Sequence, residues 1–167
     1  DWSSDVCSSD LRVEMLSLVT ATCFYERQPG QPQGFGCLFP RDQGFRSRGA
    51  LFNECIFDGR SKARSETWIL GGALDPDIAQ ADDEELRRIL LDDHARLTGK
   101  PEMPLAIHIT RWPRALPHYN LDLERALAEM PPLPRGFALS GNYLGQIGLA
   151  KILLRSAQAA TRILETL

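Results

Sequence analysis

Residues 137–164 read FALSGNYLGQIGLAKILLRSAQAATRIL. The stretch opens on an apolar run at 137–140 that reads as a short strand. It turns through Gly141, Gly145 and Gly148 and then enters a helix. The helix reading rests on two sets of residues that step by three and four. Leu149, Ile152, Leu153, Ala157, Ala160, Ile163 and Leu164 form an apolar face, with Lys151, Arg155, Gln158, Arg162 and Glu165 opposite. Glycine lets backbone come close to a ligand, and the first N–H groups of a helix have no partner within it. Such groups offer donors and partial positive charge to an anion, or to negative charge that develops during a reaction. The spacing does not match GxGxxG, and no Lys-Ser/Thr follows the last glycine as a P-loop requires. On the glycines alone, a ligand-binding turn and a plain strand-to-helix connection stay equally open.

Upstream of this stretch the chain reads as strands, one strong helix and a proline-rich approach. Residues 16–25 (LSLVTATCFY), 50–57 (ALFNECIF), 67–72 (TWILGG) and 105–110 are strand candidates. A short strand at 37–39 is stopped by Pro40. Tight polar turns between them suggest an antiparallel or mixed sheet. Residues 82–97 predict a helix: Asp82 caps it, Glu85 completes a capping box, and Leu86, Ile89, Leu90 and Leu97 share a face. Gly99 is placed to end it. Residues 112–119 (WPRALPHY) hold two prolines and are expected to be irregular. A short helix at 121–130 follows, with Asn120 as its cap.

The chain has 167 residues, 43% hydrophobic and 25% charged, with 19 basic and 22 acidic side chains. That near-neutral balance argues against a generic nucleic-acid binder. No apolar run approaches the roughly 20 residues a membrane helix needs. Cys7, Cys23, Cys37 and Cys55 form no CxxC, and no histidine sits at a zinc-finger spacing from them, so no metal site is expected. Cys23, Cys37 and Cys55 lie among apolar residues, which favours buried free thiols in a reducing, cytoplasmic setting. Residues 1–11 (DWSSDVCSSDL) repeat Ser-Ser-Asp and carry no period. They read as a non-native scar or a short disordered leader.

SGNYLGQIGL and the Ala-rich helix after it resemble the C-terminal flavin-binding segment of protoporphyrinogen oxidases, in the flavin-containing amine oxidase superfamily. The resemblance runs upstream in order: GFGCLFP (34–40), GALFNECIFDGR (49–60), the glycine pair 71–72, the helix EELRRILLDDHARLTG (84–99) and RWPRALPHY (111–119). It implies an α/β (α+β) fold. Residues 12–135 would form part of a mixed-sheet substrate domain. Residues 136–167 would supply the C-terminal strand–turn–helix of a Rossmann-like FAD domain. By resemblance, Gly141, Asn142 and Tyr143 lie beside the pyrophosphate and ribityl side of FAD. Ile147, Gly148 and Leu149 bring N–H groups towards the flavin N1/O2 edge. Reduction places negative charge at that edge, which a helix N-terminus stabilises by roughly 0.3–1 kcal/mol when exposed.

The implied reaction takes hydrogens from a porphyrinogen, with a hydride passing to flavin N5 and molecular oxygen as acceptor. The cofactor carries that chemistry, and no catalytic side chain is assigned. His94 is expected on the helix surface, His108 in a strand and His118 in the proline loop. Arg60, Arg111 and Arg114 are candidate cations for substrate carboxylates, or simply surface and loop-pinning arginines. Ser140, Gln146-Ile147, Ala157 and residues 153–155 depart from the family's usual residues, which bears on cofactor affinity and on the subgroup. No GxGxxG occurs in the chain. The expectation is therefore a C-terminal part of a longer flavoenzyme, lacking the dinucleotide-binding segment and inactive alone. The family resemblance also brings peripheral membrane association into view. The alternatives are coproporphyrinogen III oxidase, another amine-oxidase-like flavoenzyme, or a non-catalytic α/β binding protein.

Overall fold

The computed structural model describes residues 13–166 apart from Gly30, Asp58 and Gln146. The leader expected at 1–11 lies outside the described residues. Two compact units emerge, one of residues 17–113 and one that joins the N-terminal residues to 114–167.

The first unit is built on a sheet. Strands β1 (Met15–Tyr25), β2 (Gly36–Leu38), β3 (Gly49–Phe52), β4 (Arg64–Gly71) and β5 (Ala106–Pro117) are ordered β2-β3-β4-β1-β5. Strand β4 pairs antiparallel with β1 and with β3, and β2 pairs antiparallel with β3. The bonds from Leu105 N–H to Phe24 O and from His118 N–H to Glu14 O run β5 antiparallel to β1 as well. The sheet is thus antiparallel at each of these pairings, where the sequence left a mixed one open. Alternation sets the core. Val19, Ala21, Cys23 and Tyr25 face inward opposite Leu70, Trp68, Glu66 and Arg64.

Helix α1 (Asn53–Ile56) cuts short the strand expected over 50–57. Asn53 Nδ2 donates to Thr67 Oγ1 and Glu54 accepts from Ser65 N–H, so the chain turns against β4 rather than extending. A 3₁₀ turn (Pro76–Gln80) leads to helix α2 (Asp83–Thr98). Asp82 accepts from Glu85 N–H as the expected cap, the Glu85 carboxylate accepts from Arg46 Nη1 instead of closing the capping box, and Gly99 ends the helix in the left-handed region. Leu86, Ile89 and Leu90 pack into the core against the sheet.

The prolines of 112–119 do not break β5, contrary to the sequence reading. Strand β5 is an edge strand, where a residue without N–H can face away from the ladder. Trp112 Nε1–H donates to Thr20 Oγ1 at 2.9 Å and fastens the strand to β1.

The second unit carries helix α3 (Leu121–Ala128), capped by Asn120, and helix α4 (Leu149–Thr166). No strand forms at 137–140. Phe137 N–H donates instead to Pro134 O across the turn at 135–136. In α4 the inward residues are Ile152, Ser156, Ala159 and Ile163, all half-buried. Leu149, Leu153 and Leu164, read on the apolar face, are exposed.

Candidate functional site

The predicted flavin-binding residues lie on a braced turn. Gly141 to Gly145 form the turn and Gly148 precedes α4, its carbonyl accepting from Lys151 and Ile152 N–H. Tyr143 folds its ring back over Gly141, where a Cβ would stand 2.7 Å from the ring. Gly145 has φ +86°, a conformation open to glycine and costly for side chains with a Cβ. Tyr119 donates its phenol proton to Asn142 O, and Arg155 donates from Nη1 to Leu144 O. Ser140 and Ser156 join hydroxyls at 2.5 Å.

Beyond the turn the backbone is open. Ile147 is 47% and Leu149 72% exposed, and nothing lies within 4 Å of a Cβ built on Gly148. The structure therefore brings Gly141, Asn142 and Tyr143 together inside the braced loop, and presents Ile147, Gly148 and Leu149 outward at the α4 N-terminus. The residues fit a planar cofactor edge approaching the backbone. Among the described residues no side chain stands within 4 Å of a Cβ built on Gly148, and the first N–H groups of a helix have no partner inside it.

The other residues singled out in the sequence are mostly structural. Arg111 donates to Ala81 O and pairs with Asp83 at 2.8 Å, which pins the entry of α2. Arg60 lies over the Phe57 ring, and Arg114 is exposed. His118 Nδ1 meets Glu14 at 2.8 Å, and His108 sits exposed in β5. Cys23 is buried, and that burial pushes its thiol up to about 12. Cys37 is half-buried. Cys55, expected to be buried, is exposed because α1 carries it out of the sheet.

His94 is not on the surface. It is fully buried, stacked on Tyr25 at 4.6 Å, with neither ring nitrogen hydrogen-bonded. Around it lies a cluster that the sequence reading missed. Arg64 donates to Glu66 and, at 2.7 Å, to Glu102, and its guanidinium lies 4.3 Å above Tyr25. Glu66 also accepts from Trp68 Nε1 at 3.1 Å. His94 Nε2 stands 3.8 Å from Glu66 and 4.0 Å from Glu102. Burial raises the Glu66 carboxyl to about 6, against the pull of Arg64. Burial and then Arg64 lower His94 to about 4, so the imidazole is neutral at pH 7. The missed signal is the alternation Arg64, Glu66, Trp68, Leu70, which puts two charges on the inward face of β4. Arg64, Lys100 and Glu102 also line a cavity of about 410 Å³ with Cys37 and Gln28. No group of histidine, cysteine and acidic side chains among the described residues is arranged to hold a metal. No helix among them is long and apolar enough to cross a membrane.

No family model matches the chain. Among curated proteins it is similar to protoporphyrinogen oxidase 2, chloroplastic/mitochondrial, of Arabidopsis thaliana, at 26% identity over 160 residues. That match takes in 91% of this chain and 32% of the relative. The likeness to protoporphyrinogen oxidases recurs in Nicotiana tabacum, whose chloroplastic enzyme is 28% identical over 80% of this chain and 26% of its own length. A coproporphyrinogen III oxidase of Mycobacterium bovis is 30% identical over 88 residues, 52% of this chain and 20% of that protein. A solved structure from Exiguobacterium sp. 255-15, provisionally assigned as a protoporphyrinogen oxidase, superposes with a TM-score of 0.70. It covers 92% of this chain and 36% of its own, at 19% identity, and so shares the fold. The chain thus spans about a third of the length of its Arabidopsis relative. Of the motifs quoted from the sequence, GFGCLFP contains β2, GALFNECIFDGR contains β3 and α1, RWPRALPHY closes β5, and SGNYLGQIGL contains the braced turn.

Proposed function

We propose that the chain is the C-terminal part of an FAD-dependent enzyme that oxidises protoporphyrinogen IX to protoporphyrin IX in heme biosynthesis, with oxygen as acceptor. One observation carries the cofactor assignment: an open backbone edge at 147–149 follows a turn closed by Tyr143 and opened by a left-handed Gly145. Gly141, Asn142 and Tyr143 would hold the ribityl and pyrophosphate side. Ile147, Gly148 and Leu149 would hold the pyrimidine edge. Bound there, FAD supplies the two-electron oxidising chemistry. The chain's own contribution is to offer donors and the positive end of α4 where negative charge collects, and to keep side chains off that edge. In this reading residues 12–135 serve the substrate side and 136–167 the cofactor side. By resemblance the dinucleotide grip would come from a GxGxxG unit, a motif this chain does not contain.

Similarity to the mycobacterial protein favours a second reading, in which the substrate is coproporphyrinogen III. Both readings share the flavin site. That site is tested by titrating FAD with the chain and following flavin fluorescence. Saturable quenching that Gly148→Asp weakens supports the assignment, because the variant sets a carboxylate on the open edge. Quenching that is indifferent to Gly148→Asp, in the chain and in the complete enzyme alike, rejects it. Oxidation of the two porphyrinogens by the complete enzyme separates the substrates.

A further inference from the structure

We infer that Tyr119 and Arg155 are positioning residues for the turn at 141–145: each holds one peptide carbonyl and so fixes the direction of the N–H in the same peptide plane. The inference rests on the flavin reading of that turn and deepens it. The C=O of one residue and the N–H of the next lie in one plane and point opposite ways. Tyr119 accordingly turns the Tyr143 N–H away from itself when it donates to Asn142 O. Arg155 does the same to the Gly145 N–H when it donates to Leu144 O.

The second brace has particular work to do. Gly145 has φ +86° and no Cβ, so the Leu144–Gly145 peptide can rotate at low cost unless its carbonyl is held. A rotated peptide would aim a carbonyl oxygen, which repels negative charge, along the direction the N–H now takes. Arg155 reaches back from α4 to prevent it. The Ser140–Ser156 hydroxyl pair at 2.5 Å joins the entry of the turn to the same helix. Tyr119 ends RWPRALPHY and Asn142 belongs to SGNYLG. The contact gives a physical reason for the two motifs to occur in one chain: one aims the other's backbone.

The test uses the 167-residue chain labelled with ¹⁵N and ¹³C, as wild type, Tyr119→Phe, Arg155→Met and Arg155→Lys. Carbonyl ¹³C shifts of Asn142 and Leu144 report acceptance of each bond. Amide exchange at Gly145 reports peptide rotation, circular dichroism reports α4, and FAD titration reports binding. Tyr119→Phe should move the Asn142 carbonyl. Arg155→Met should move the Leu144 carbonyl and speed Gly145 exchange, with helix content unchanged. Each should weaken FAD roughly five- to tenfold, the scale of one net hydrogen bond. Arg155→Lys, still able to donate, should restore most of the loss. Carbonyl shifts that stay put in both variants overturn the inference even if the wild type binds FAD. Shifts that move while the wild type shows no FAD response uphold the braces and remove the flavin reading instead.

Discussion

His94 sits in the core without a hydrogen bond on either nitrogen, beside a guanidinium and two carboxylates. Its proton inventory differs between folded and unfolded chains. Unfolded, the imidazole takes a proton near pH 6.5; folded, it resists until about 4. Its contribution to stability is therefore present above 6.5 and lost as pH falls through 4. Glu66 runs the other way. Its folded carboxyl keeps a proton up to about pH 6 against 4.5 unfolded, so its contribution is present below 4.5 and lost as pH rises through 6. Between these limits folding moves a proton from imidazole to carboxyl, and the two slopes oppose. Removing one slope exposes the other. Urea unfolding of His94→Phe and wild type, compared from pH 7 to 4.5, should shift in the variant's favour by about 2–3 kcal/mol. A difference that stays flat contradicts a buried neutral imidazole. Asp93 offers a second residue-scale test. It is buried and accepts from Ser47 N–H at 2.7 Å and Arg46 N–H at 3.3 Å. Asp93→Ala strips both amides and should cost about 2–4 kcal/mol. Asp93→Asn, whose amide oxygen still accepts, should cost less. Equal losses in the two would mean that the acceptor role is not what holds the 46–47 loop.

At the scale of elements, patterns that depend on neighbours in sequence were legible and patterns that depend on partners in space were not. The Asp82 cap and the apolar face of α2 appear as read, because cap and period are local, whereas Glu85 does not close the capping box because its carboxylate turns to Arg46. Strand β1 follows its β-branched run for the same reason. The stretch at 137–140 follows a turn closed by Phe137 N–H on Pro134 O rather than forming the expected strand, and β5 keeps its prolines because it lies at an edge. An edge position is not written in the local sequence. Helix α4 shows the same division. Its helical period is correct, yet Leu149, Leu153, Leu154 and Leu164 stand 60% or more exposed. Such a stripe should bind a hydrophobic dye. Leu153→Glu with Leu164→Glu should lower anilinonaphthalene sulfonate fluorescence at unchanged helix content. Undiminished fluorescence would place the dye elsewhere. Of the candidate site, the glycine turn and its helix were legible. The braces from Tyr119 and Arg155 were not, since they join residues 23 and 11 positions apart.

At the scale of the molecule, an antiparallel sheet with α2 on it forms one unit, and a braced turn leading into α4 marks the other. The likeness to protoporphyrinogen oxidases runs through both, over 91% of the chain. The sheet unit has its own charged core at Arg64, Glu66 and Glu102, so its stability answers to pH independently of any cofactor. The flavin reading depends on the other unit alone. The most direct measurement is a ¹H–¹⁵N map of the chain during titration with FAD. The largest shifts should fall on the amides of Ile147, Gly148 and Leu149, with smaller ones at 141–143. Shifts centred on the 410 Å³ cavity beside Arg64, or none at millimolar FAD, would contradict the flavin reading.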